Sequence, residues 1–150
     1  MIFLFILFLS ALISSYTDLK YREVPNWICL FMICFGVGGN LLLSIIRGTP
    51  LPIIHSFLGL SFFFIIALFM FYSGSWGGGD GKFLMGVGAL IPTYSLAIFI
   101  NVAIFNVIYL VGYMLIFKVR KVKEGIPLIP VISLAIIFTL IFGNILFVLV

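Results

Sequence analysis

The chain has 150 residues, of which 65% are hydrophobic and 8% charged, and its mean hydropathy is +1.42. A soluble globular domain carries about 25% charged residues, so that class is excluded and residues 1–150 read as a single integral-membrane domain. The net charge of +4 is concentrated in one short stretch, Lys118, Arg120, Lys121 and Lys123; it reads as a topology signal and an attraction for acidic headgroups of the lipid bilayer, with no nucleic-acid partner expected.

Stretches free of Asp, Glu, Lys and Arg cover residues 1–17, 24–46, 48–79, 83–117 and 125–150. Their length favours helices over a barrel, whose strands would show short alternating patterns. The first run has no basic residues ahead of its apolar stretch and no clean small-residue cleavage site, so a retained helix is expected rather than a signal peptide. Residues 83–117 would measure about 52 Å as one straight helix, against a hydrocarbon core of ~30 Å. Pro92-Thr93 is the natural break, because proline lacks the backbone donor and clashes with the preceding turn. With that break, Lys20, Arg22, Lys82 and the four cations of 118–123 share one membrane face and Arg47 takes the other. The positive-inside rule then predicts spans at about 2–17, 27–46, 53–73, 81–92, 94–117 and 128–149, with both termini outside. The expected fold is an all-α polytopic membrane helical bundle of about six transmembrane helices with a short, broken fourth span.

Several residue types carry little chemistry. Cys29 and Cys34 lie five positions apart on one predicted helix, about 140° around its axis, and read as buried thiols. His55 has no nearby second ligand, so neither a metal site nor a cofactor is expected. Tyr21, Trp27, Tyr72 and Trp76 near span ends read as an interfacial belt. Asn26 and Asp80 each suit the N-cap of the helix that follows.

The acidic residues carry more. Asp18, Glu23, Asp80 and Glu124 all fall at breaks between apolar runs, and six spans bring all four to the cytoplasmic face. A carboxylate at a membrane edge is costly and marks a functional site. Two carboxylates able to share one proton suit hydrolysis of a peptide bond, one activating water and the other acting as acid. The glycines before Asp80 would let a substrate backbone approach without Cβ interference. A proton- or ion-translocating protein would place ionisable groups at several depths, and a non-enzymatic membrane assembly factor would use its glycine-rich helices for packing alone.

Thr17-Asp18 with Arg22-Glu23-Val24-Pro25-Asn26 resembles the first aspartate loop of the type IV prepilin peptidases, in their archaeal preflagellin and prepilin peptidase branch. The block Ser73-Gly74-Ser75-Trp76-Gly77-Gly78-Gly79-Asp80-Gly81-Lys82, followed by Gly86-Val87-Gly88-Ala89-Leu90-Ile91-Pro92, is similar to the second loop of these G-x-G-D membrane aspartic proteases. Ile126-Pro127-Leu128-Ile129-Pro130 resembles the entry to their last span. The resemblance implies an aspartic endopeptidase with Asp18 and Asp80 catalytic; from their own chemistry, Gly77, Gly78 and Gly79, lacking a Cβ, and Glu23, opposite in charge to a basic leader, are expected to face substrate. Its implied partners are pilin-like or archaellin precursors, which lose a short basic leader at the cytoplasmic membrane face, just before a hydrophobic helix. The first cytoplasmic loop has no paired C-x-x-C motifs, so the methyltransferase activity of bifunctional members is not expected.

Overall fold

The computed structural model describes residues 2–74, 76–117 and 127–148, with side chains described over 2–74, 76–112 and 127–142; Glu124 and the basic stretch 118–123 lie outside the described residues. The chain folds into α1 (Ile2–Tyr21), α2 (Asn26–Arg47), α3 (Leu51–Tyr72), α4 (Gly78–Leu90), a 3₁₀ turn (Pro92–Tyr94), α5 (Ser95–Phe117) and α6 (Ile129–Val148), with no strand among the described residues. Helices α1, α2 and α3 and the stretch Pro92–Gly112 are long and apolar enough to cross a membrane, and Ile129–Phe142 is a shorter apolar helix. The protein is an all-α membrane helical bundle. Its 13-residue α4 rises only ~20 Å, short of the hydrocarbon thickness.

The expected break is present. Helix α4 stops at Ile91, whose φ of −132° and ψ of 64° are not helical, and Pro92 opens the 3₁₀ turn. Ending a helix inside an apolar bundle frees backbone carbonyls that need partners. Ala89 finds two. Its carbonyl accepts from Asn40 Nδ2 at 3.1 Å and from Ser56 Oγ at 2.8 Å, and the Asn40 amide also donates to the Gly36 carbonyl at 2.8 Å. Polar side chains on α2 and α3 thus compensate for a backbone interruption in α4. The double replacement Asn40→Leu with Ser56→Ala is expected to destabilise the bundle by about 1–3 kcal/mol, the cost of stranding a buried acceptor. Thermal unfolding in detergent checks it.

Helix α4 is wedged between α2 and α3, and glycine permits the approach. A Cβ on Gly59 of α3 would run into the Gly88 carbonyl, and one on Gly88 would run into the Gly59 carbonyl. Nearer the start of α4, a Cβ on Gly81 would meet Ala67 Cβ at 2.6 Å; on the other flank, one on Gly36 would meet the Ala89 backbone at 2.7 Å. Small residues at facing positions let helix backbones close to dispersion contact where lipid supplies no hydrophobic drive. Phe63, Phe83, Leu84 and Val87 fill the space beside this seam and are fully buried.

The other packing group joins α6 to α1 and α5. Ser15 and Ser133 share a hydroxyl hydrogen bond of 3.0 Å between α1 and α6. Asn101 Nδ2 donates to Thr139 Oγ1 at 2.8 Å between α5 and α6, and that hydroxyl donates onward to the Ala135 carbonyl at 2.7 Å. The ring pairs Phe3–Phe35 and Phe62–Phe99 link this group to α2 and α3. In this up-and-down arrangement α1 and α3 end, and α2, α4 and α6 begin, at the same end of the bundle.

Three expectations change. Cys29 is buried but Cys34 is exposed on the outer surface of α2, as a 140° separation allows when one face packs inward. Tyr21, Trp27 and Tyr72 are exposed as a belt requires, whereas Trp76 is only 9% exposed and belongs to the interior. Asn26 is not the cap of α2; Pro25 holds that position, and the Asn26 side chain reaches across to α4.

Candidate active site

Helix α1 runs past the predicted end at residue 17 and carries Asp18 in its last turns. Arg22 terminates it: the Arg22 N–H donates to the Asp18 carbonyl at 2.9 Å, and its φ of 56° is left-handed. That conformation at the residue after a helix closes the terminal carbonyls, at a cost of about 1–2 kcal/mol for a side chain other than glycine. The reversal throws Glu23, Val24 and Pro25 across the end of the bundle toward α2.

The Asp18 side chain is 6% exposed. Its Oδ2 accepts a 2.9 Å hydrogen bond from the backbone N–H of Ile129, the first residue of α6. The first N–H groups of a helix have no intrahelical partner, so Asp18 caps α6 from a different helix, 111 positions away in the chain. Such a carboxylate is favoured by the positive end of the α6 dipole.

Asp80 is held in a parallel way. Gly77 is the N-cap of α4 and Asp80 stands three residues on, inside the first turn rather than at the cap. Its Oδ2 accepts from the Gly77 N–H at 2.9 Å. This is the reach-back half of a capping box, with glycine lacking the other half. Asp80 is 8% exposed. Among the described residues, Asp18 and Asp80 are the two buried charged side chains.

Both aspartates line one cavity of about 810 Å³. Arg22, Glu23, Val24 and Asn26 line it from the α1–α2 turn, Trp76 and Gly77, Gly78 and Gly79 from the approach to α4, and Leu110 and Leu128 from α5 and the entry to α6. All the residues expected to face substrate are therefore at the cavity. The glycines differ in what they do there. A Cβ on Gly79 would sit 2.9 Å from Val24 Cβ, so that glycine is required for packing the two aspartate loops together; a Cβ on Gly78 would meet nothing closer than 4.0 Å. Lys82 Nζ donates to Asn26 Oδ1 at 2.9 Å, tying the start of α4 to the start of α2. No cluster that could hold a metal ion occurs among the described residues; His55 lines a separate cavity near the opposite end, with Arg47 and Pro92.

Trp76, Leu110 and Leu128 line the cavity beyond the residues expected from the sequence. Leu128 had one signal, the proline-flanked Ile126–Pro130 block, since proline is tolerated in a first helical turn. Leu110 had none of its own, lying mid-run in a helix without charged residues.

The chemistry available is a pair of carboxyl groups, each fixed through one oxygen, facing a shared cavity with an apolar wall and a charged rim. The type IV leader peptidase family matches residues 4–145. The preflagellin peptidase of Methanocaldococcus jannaschii is 38% identical over 125 residues, covering 83% of this chain and 53% of that protein. That of Methanococcus voltae is 36% identical over 130 residues, covering 87% and 54%. The chain spans about half the length of these curated relatives. A match across nearly all of its helices, including both aspartate loops, places this chain in the type IV leader peptidase family.

Proposed function

We propose that this protein is a membrane aspartic endopeptidase of the G-x-G-D type that removes a short basic leader from preflagellin or type IV pilin-like precursors at the cytoplasmic membrane face. The observation that carries the reading is the placement of Asp18 and Asp80, on separate helices and 62 positions apart in the chain, around one cavity with their Oδ2 atoms held by backbone N–H groups. Hydrolysis by such a pair needs one carboxyl ionised and its partner protonated. The ionised partner takes a proton from water as the water oxygen bonds to the scissile carbonyl carbon. The protonated partner hydrogen-bonds the carbonyl oxygen, and the C–N bond breaks as a proton passes to the leaving nitrogen. The leader leaves with a new carboxylate and the remainder with a new amino terminus.

Glu23 at the rim gives a basic leader an opposite charge to meet. Its contribution is small, since exposed ion pairs are worth about 0–1 kcal/mol. A proton relay across the membrane is disfavoured because the two buried charges lie at one end of the bundle rather than spread through it. Incubating purified protein with a preflagellin precursor tests the reading: a leader-length mobility shift that survives chelator supports it, and an intact precursor refutes it.

The cations support an orientation. Lys20, Arg22 and Lys82 stand at the cavity end and Arg47 at the other, an asymmetry that favours a cavity facing the cytoplasm under the positive-inside rule. Gly78→Cys in a cysteine-free background is expected to react with small aqueous thiol reagents from the cytoplasmic side. Gly78 suits this because a Cβ fits there. Labelling solely from outside would reverse the topology.

A further inference from the structure

Helix α5 carries two buried asparagines with opposite circumstances. Asn101 is paired with Thr139, whose hydroxyl is itself satisfied by the Ala135 carbonyl. Asn106 is 6% exposed, and among the described residues neither its Oδ1 nor its Nδ2 has a hydrogen-bond partner. An amide sealed in an apolar bundle with both ends unpaired costs stability on every folding event. A group of this kind calls for an account, and a partner supplied by bound substrate is one.

Position indicates which state. Asn106 precedes the cavity-lining Leu110 by four residues, so it lies on the same helix face about one turn deeper in the membrane. On α1, Ser14 precedes Asp18 by the same four residues, is fully buried, and its Oγ is also unpaired. Of the three described residues with buried, unpaired side-chain polar atoms, Ser95 opens α5 at the far end, and the other two lie one turn beneath residues that line the cavity, on the two helices that flank α6.

We infer that Asn106, with Ser14 in support, is a substrate-positioning residue that accepts backbone N–H groups from the first turn of the precursor's apolar helix, just beyond the scissile bond. The inference rests on the leader-peptidase reading for the direction in which substrate lies. A peptide bond must be extended to be hydrolysed, so the helix following it begins at that point and presents N–H groups with no partner of their own. In water these would be solvated; one turn beneath the cavity they need protein acceptors. Asparagine and serine oxygens are the acceptors helix starts prefer. The same device operates within this chain, where Asp18 caps α6 from another helix. Both Asn106 polar atoms are sealed in this state, so substrate reaches them by displacing side chains above, Leu110 among them.

The test uses full-length protein in detergent, with a preflagellin precursor whose apolar segment directly follows the leader. For Asn106→Leu, KM is expected to rise about tenfold with kcat little changed, because the contact is made in ground state and transition state alike. Its melting temperature is expected to stay level or rise, since an unpaired polar group has been removed. Asn106→Ser, which restores an acceptor, is expected to recover part of the loss in KM. The paired residue gives the contrast: Asn101→Leu lowers the melting temperature. An unchanged KM in Asn106→Leu overturns the inference, as does a KM loss accompanied by a fall in melting temperature. Wild-type protein that leaves the precursor intact fails the peptidase reading itself, and the role of Asn106 with it; cleavage by wild type with an unchanged Asn106→Leu KM fails the inference alone.

Discussion

Asp18→Asn and Asp80→Asn are each expected to lower leader cleavage by on the order of a thousandfold, the scale of lost acid–base catalysis, while protein level and membrane insertion stay near wild type. The two expectations have separate physical bases. Cleavage needs one carboxyl that can take a proton and another that can give one, and an amide does neither. Folding needs an oxygen to accept from the Ile129 and Gly77 N–H groups, and Asn Oδ1 supplies it as well as a carboxylate oxygen does. Replacement by Leu removes both, so Asp18→Leu also strands the Ile129 N–H and lowers the yield of folded protein. Gel assay of precursor and membrane content of the variants, measured together, separate these effects. Substantial cleavage by either Asn variant would remove that residue from the reaction.

The largest effect on folding is expected at the crossing of α3 and α4. Gly59→Leu places a side chain where the Gly88 carbonyl stands, and neither backbone can retreat without breaking the α4 wedge. The cost is expected to be about 3 kcal/mol or more, at the upper end for overpacking, and to appear as loss of folded protein from the membrane. Gly38 lies in α2 with nothing within 4 Å of its Cβ position. Gly38→Ala is therefore expected to be neutral or stabilising by up to ~1 kcal/mol through helix propensity. Equal tolerance of the two substitutions would mean that α3 and α4 do not cross at Gly59 and Gly88.

How far the sequence could be read depended on the scale of the signal. Hydropathy and charge are summed over whole spans, so the helix order, the break at Pro92 and the face carrying Asp18, Glu23 and Asp80 followed from them. Uniformly apolar helices have no periodic contrast to mark an inner face. For that reason nothing in the sequence assigns Leu110 to the cavity, and nothing separates the outward Cys34 from the inward Cys29. Trp76 was misread for a related reason: an aromatic near a span end suits an interface and a cavity wall equally well, and only packing distinguishes them. The partners of both aspartates were hidden because they are backbone N–H groups. Every residue but proline carries one, so the Ile129 donor to Asp18 had no side-chain signature.

The proposed reaction is hydrolysis, by Asp18 and Asp80 together, of the bond between a leader and the apolar segment after it. Its most direct test is N-terminal sequencing of the product formed when purified protein acts on a preflagellin precursor in the presence of chelator, beside the two Asn variants. A single new amino terminus at the start of the apolar segment is expected with wild type, and none with either variant. A terminus elsewhere, a product that disappears with chelator, or the same product from Asp18→Asn or Asp80→Asn would contradict it.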